Sequence, residues 1–164
     1  MGRRAASQGS DLVVADEIVF GEIRLALATA DSREAKATRI AELIRRSREY
    51  RWAGIYEIDG EEIAAVAWTG SGPPAFPRFP KTQGLCGAAV LAETPVVVGD
   101  VTNDPRYLTT FGSTRSEIVV PIFGQASKTA IGLIDIESEH LNAFREADRI
   151  FLEGCAALLL RLWE

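Results

Sequence analysis

The chain has 164 residues, 47% of them hydrophobic and 25% charged, with a net charge of −5 and two cysteines. Domains usually run about 100–150 residues, so this length predicts one domain with some extra helix, large enough to bury a core without disulfide staples. The negative charge, with no basic run beyond Arg45-Arg46, argues against a nucleic-acid footprint, and no apolar run approaches the roughly 18–20 residues that a bilayer span requires.

Residues 1–10 are polar, lack the apolar centre of a signal peptide, and read as a disordered lead to a single domain over residues 11–164. Cys86 and Cys155 lie far apart in the sequence and fit a reducing compartment, so a cytoplasmic location is expected. From Asp11, a possible cap, Leu12, Val13, Ile18, Val19, Ile23, Leu25 and Leu27 follow a helix-compatible pattern opposite Glu17, Glu22 and Arg24. This apolar surface exceeds what one small sheet needs, which predicts a helix-to-helix dimer contact. Ser32 and Glu34 mark the start of a second helix that carries Ile40, Leu43 and Ile44 and ends near Tyr50.

Arg51–Ile58 and Glu62–Thr69 then form a predicted hairpin around Asp59-Gly60. Strand alternation sets Trp52, Gly54 and Tyr56 on one face and Ala53 and Ile55 on the other. Pro73, Pro74, Pro77 and Pro80 forbid helix and central strand over residues 70–83, a loop whose Phe76 and Phe79 need somewhere to pack. A short helix is predicted over Gly84–Glu93, a brief strand over Pro95–Val98, and a long loop over Asp100–Thr114.

A second hairpin, Ser116–Phe123 and Ala130–Glu137, is the most informative stretch. Ile118, Val120, Ile134 and Ile136 share one apolar face, while Glu117, Asp135 and Glu137 point the other way with Val119 and Leu133. That second face either holds a polar ligand or meets water. Like charges this close repel unless a cation or a donor lies between them. A final helix opens at His140–Asn142 and carries Phe144, Ile150, Phe151, Leu158, Leu159 and Leu162. The sum is an α+β fold with an antiparallel sheet and helices at both ends.

Three segments carry a resemblance. Gly99-Asp100-Val101-Thr102-Asn103-Asp104-Pro105-Arg106-Tyr107, Arg115-Ser116-Glu117-Ile118-Val119-Val120-Pro121 and Ile131-Gly132-Leu133-Ile134-Asp135-Ile136-Glu137-Ser138 together resemble a GAF domain, over roughly Ile18 to the C-terminus. The resemblance implies terminal helices on one face of the sheet, a ligand pocket on the other, and frequent dimerisation through the helices. Within the family, Arg51-Trp52-Ala53-Gly54-Ile55-Tyr56 and the three carboxylates are similar to the free methionine-R-sulfoxide reductases, where aromatic residues box the sulfoxide end and carboxylates hold the amino group. That implies ligand contacts at Trp52, Tyr56, Glu117, Asp135 and Glu137.

The reductases also use three cysteines. Cys86 matches one resolving position, but Thr110 stands at the attacking position and Phe76 at the other resolving one. A hydroxyl cannot replace the soft, low-pKa sulfur that the reaction needs. The expectation is therefore a sensory or regulatory domain that binds a small molecule, acts as a homodimer and passes its signal to a separate partner. The alternatives are a reductase-like enzyme relying on Cys86, or a structural dimerisation module. No cofactor and no metal site is expected, because His140, the only histidine, does not make a ligand set with Glu137 and Glu139. Cys155 reads as packing, and Arg106 and Arg115 as partners of Asp100 and Asp104.

Overall fold

A computed structural model describes residues 3–126 and 128–164. Four helices, α1 (Arg3–Leu27), α2 (Arg33–Ser47), α3 (Gly84–Ala92) and α4 (Glu146–Leu159), accompany six strands. The strands are β1 (Trp52–Asp59), β2 (Glu62–Gly70), β3 (Arg78–Pro80), β4 (Val96–Val98), β5 (Ser116–Phe123) and β6 (Ala130–Ser138). They form one antiparallel sheet in the order β3-β2-β1-β6-β5-β4, which is the α+β architecture expected.

The alternation read from sequence holds across the central strands. Ala53, Ile55, Ile118, Val120, Ile134 and Ile136 lie in one core with Ile23, Ile40, Ile44, Phe151 and Leu159 of the helices. α2 and α4 lie on this face of the sheet, and α1 packs mainly on those two helices. A stacked pair, Phe20 and Phe151, joins α1 to α4 with ring centroids 5.8 Å apart. Gly154 permits the approach, since a Cβ there would lie 2.5 Å from the Phe20 ring.

At one end the helices are tied by a polar chain. Arg48 binds Asp16 at 2.8 Å and lies 3.7 Å from Asp148, which also accepts a 2.7 Å hydrogen bond from Tyr50. Burial and that neighbouring carboxylate push the Tyr50 hydroxyl pKa far above its ordinary value, keeping it a donor.

The opposite face carries a second, smaller core of Trp52, Tyr56, Ile63, Phe79, Leu85, Ala89, Val119 and Leu133. α3 roofs it. Because β3 and β4 are the two edges of the sheet, the β3–α3–β4 segment crosses its whole width. Gly87 lets α3 sit tightly against the loop before it, where a Cβ would meet the Lys81 carbonyl oxygen at 2.8 Å.

Several details differ from the sequence reading. Among the residues of the expected lead, those from Arg3 onward are helical, so Asp11 lies inside α1 and does not cap it; Met1 and Gly2 lie outside the described residues. On α1 only Ile23 of the named apolar set is fully buried, with Val19 and Leu27 packed beside the core, while Leu12, Val13, Ile18 and Leu25 face outward. The proline-rich loop contains β3, which is compatible with proline because it is an edge strand. α4 begins at Glu146 and not at His140–Asn142: Asn142 adopts φ +51°, a left-handed turn, and its N–H donates to the Gly99 carbonyl at 2.9 Å. His140 is exposed, and its carbonyl accepts from the Ser116 hydroxyl at 2.7 Å.

Candidate functional site

The register builds the site from three adjacent strands. On β5 and β6, Glu117 lies directly opposite Glu137, and Val119 opposite Asp135. β1 lies on the other side of β6, with Trp52 opposite Glu137, Gly54 opposite Asp135 and Tyr56 opposite Leu133. Glycine at position 54 is required because the flanking rings lean over it. A Cβ there would lie 2.4 Å from the Trp52 ring and 2.8 Å from the Tyr56 ring.

Roof and walls come from the loops. Phe79 meets Tyr56 edge-on at 6.0 Å, and Phe111 meets Trp52 edge-on at 5.6 Å. The Trp52 indole N–H donates to the Gly72 carbonyl at 2.9 Å, which ties the proline-rich loop to the sheet. Arg51 pins the other loop, donating to the Ser113 hydroxyl at 2.6 Å and pairing with Glu139 at 3.1 Å. Together Tyr56, Phe76, Leu108, Thr110, Glu117 and Asp135 contribute to the lining of a cavity of about 10 Å³, room for about one water molecule.

The sequence left open whether this face is wet. It is not: Glu117, Asp135 and Glu137 are 4%, 3% and 0% exposed. Burial raises the pKa of all three carboxyl groups. For Glu117 the neighbouring charges of Asp135 and Glu137 add to this, and for Asp135 the charge of Glu137 does. The Glu137 rise is opposed by the nearby Thr114 and Thr110 hydroxyls. Thr114 donates a short hydrogen bond to Glu137 Oε2. Asp135 Oδ1 and Glu137 Oε1, both buried, have no hydrogen-bond partner. Asp135 lines the small cavity and Glu137 lies beside it on the same strand, so two carboxylate oxygens are buried at this face without a hydrogen-bond donor.

The five residues named for ligand contact are thus gathered on one face, but only Tyr56, Glu117 and Asp135 line the cavity; Trp52 packs against Tyr56 with ring centroids 6.5 Å apart, and Glu137 lies buried beside them. Cys86 joins them: it is buried, and its Sγ lies 3.8 Å from Asp135 Oδ2. Burial and the three carboxylates push its thiol pKa well up, the reverse of an activated nucleophile. Cys155 lies in the helix-side core. Arg106 pairs with Asp104 at 2.6 Å. Thr114, Phe79, Leu85 and Leu108 were not singled out as site residues; Thr114 sits in a loop whose path gives no periodic signal, and Leu108 reads as any loop leucine. A larger groove of about 700 Å³ runs outside, between α3 and Pro105–Leu108, and shares only Gly84 and Leu108 with the small cavity.

The curled antiparallel sheet is helix-covered on one face and roofed over buried polar groups on the other. The GAF domain family matches residues 32–160, and the chain belongs to that family. It is 29% identical to GAF domain-containing protein A of Dictyostelium discoideum over 143 residues, 87% of this chain and 89% of that one. It is 34% identical to the free methionine-R-sulfoxide reductase of Saccharomyces cerevisiae over 112 residues, 68% of this chain and 62% of the yeast protein. Among solved structures, the free methionine-R-sulfoxide reductase of Neisseria meningitidis in complex with its substrate superposes with a TM-score of 0.81 at 31% identity, covering 90% of this chain and 87% of that one. Among the described residues, no helix is long and apolar enough to cross a membrane.

Proposed function

We propose that this GAF domain binds a small molecule bearing a primary ammonium group, with a free amino acid of the methionine sulfoxide type as the first ligand to test. The observation that carries this reading is the pair of partnerless buried oxygens, Asp135 Oδ1 and Glu137 Oε1, beside Glu117. An ammonium offers three N–H donors and a positive charge, which would satisfy both orphans and relieve the repulsion among three acids. The substrate complex of the Neisseria reductase supports the choice of ligand class. A cavity of about 10 Å³ is far too small for an amino acid, so binding requires the cover to shift. Leu108 and Gly84 line both the cavity and the outer groove, and outward movement of the Leu108 side chain would join them.

The reading is regulatory rather than catalytic. In sulfoxide reduction a thiolate takes the oxygen and becomes a sulfenic acid, which a second thiol converts to a disulfide with release of water. Cys86 is the one thiol at this cavity, and its surroundings disfavour the thiolate. Output would pass through a homodimer formed by α1, whose Val13, Val14, Ile18 and Leu25 are each at least 60% exposed. Such a dimer would hand its signal to a separate partner.

The test is a thermal-shift titration of purified protein with methionine sulfoxide, other free amino acids, nucleotides and polyamines. A ligand at 100 times its Kd adds about 2.7 kcal/mol, a shift of several degrees for a chain of this size. The expected result is a shift from an amine ligand that disappears in a folded Glu117→Gln/Asp135→Asn variant. An equal shift in that variant, or none from any compound, defeats the reading. A reductase-like activity, favoured by the yeast and Neisseria relatives, predicts instead thiol-dependent consumption of methionine sulfoxide that Cys86→Ser abolishes. An α1 dimer predicts a twofold drop in mass by light scattering in Val14→Glu/Ile18→Glu.

A further inference from the structure

We infer that Cys86, Glu117 and Asp135 form a binding site for a single divalent cation of borderline softness, with Zn²⁺ the best fit. The three side chains arrive from α3, β5 and β6, and one ligand atom from each lies within 4.8 Å of the other two. In a tetrahedral site with Zn–S of about 2.3 Å and Zn–O of about 2.1 Å, sulfur and oxygen sit about 3.6 Å apart. Cys86 Sγ and Asp135 Oδ2 are 3.8 Å apart, so that pair needs almost no movement. A second observation points to a ligand: Asp135 is 3% exposed and lines the cavity, yet its Oδ1 has no hydrogen-bond partner.

Size and chemistry distinguish this occupant from an amine-bearing molecule. The cavity holds about 10 Å³, enough for an ion or one water but not for an organic ligand, so the ion fits without movement of the cover. A thiolate with two carboxylates is too soft for Mg²⁺ or Ca²⁺, which take all-oxygen sets, and suits Zn²⁺ or Co²⁺. Three protein ligands leave the fourth tetrahedral position to a water or an exchangeable group, as in zinc sites that stay open to ligands. An ion here would crosslink α3 to the two central strands and hold the roof shut. It would also take the carboxylates that an ammonium would use, so the two occupants exclude each other; that competition rests on the amine reading, whereas ion binding does not.

The experiment is a Co²⁺ titration of the reduced full chain, followed by absorption. The expected result is saturation at one equivalent with a thiolate-to-cobalt charge-transfer band, displaced by one equivalent of Zn²⁺. The band should persist in Cys155→Ser, vanish in Cys86→Ser, and require at least tenfold more Co²⁺ in Asp135→Asn. The absence of the band in folded wild-type protein, its survival in Cys86→Ser or its loss in Cys155→Ser would overturn the proposal. The wild-type and Asp135→Asn titrations decide the matter even where Cys86→Ser fails to fold. Because the band reports the ion directly, an amine screen that fails leaves this result standing, and the reverse also holds.

Discussion

The two faces of the sheet are made by the same strands and yet obey different rules. On the helix side, Ile118, Val120, Ile134 and Ile136 meet α2 and α4 in an apolar core, and the buried Ser116 at its edge is satisfied by the His140 carbonyl. One residue away on each strand, Glu117, Asp135 and Glu137 are buried just as deeply, against aromatic rings and a roof of short helix and loop. The first face gains free energy by excluding water. The second gives some up, because charge is buried without full compensation. The helix-side face sustains the fold, and the other carries buried acids at a cost to that stability.

The largest break in this comparison comes from the helix side. Ile134→Ala should cost about 2–5 kcal/mol, read by denaturant unfolding, since it leaves a cavity in a fully buried layer. Next, Gly54→Ala should cost about 1–3 kcal/mol, because the new Cβ collides with the buried Trp52 and Tyr56 rings, and it should weaken any ligand response as well.

A third change sharpens the contrast by running the other way. Glu117→Gln should stabilise the ligand-free protein near pH 8, by about 2–4 °C in Tm for each kcal/mol gained. The sign follows from the direction of the pKa shifts. Carboxyls raised by folding bind protons more tightly in the native state, so their stability is present below the ordinary carboxylate range and is lost as pH rises through the raised values. Wild-type Tm should therefore fall from about pH 5 towards pH 8, and the variant should flatten that slope. Acid loss below about pH 4 belongs to other groups, such as Asp104 and Glu42, whose arginine partners hold them low. The smallest effect is expected from Arg106→Ala, an exposed pair with Asp104 whose loss should change Tm by no more than about 1 kcal/mol in equivalent stability.

Much of this was legible in the chain because alternation is a local signal. The facing of Trp52, Tyr56, Glu117, Asp135 and Glu137 followed from period two alone, and the register then brought them to adjacent strands. Their burial was not legible. Whether a polar sheet face is wet depends on what crosses it, and α3 and the loops over residues 70–83 and 100–115 return to it from distant sequence. Thr114 became a partner of Glu137 only through that path. The start of α4 was misplaced for a local reason of a different kind. Asn142 tolerates a left-handed turn, and its hydrogen bond to Gly99 holds it there against the helical pattern that follows.

The segment that spans the sheet from one edge to the other has a consequence for how such a domain can change. β3 and β4, its two anchors, are three residues long each, and the helix-side core does not include them. Insertions, deletions and substitutions between Arg78 and Val98 would therefore alter the size and chemistry of the chamber while leaving the strands that carry the acids and the isoleucines in place. The floor and its cover are separable units of variation, so one stable scaffold can change what faces the buried acids by rewriting the span from Arg78 to Val98.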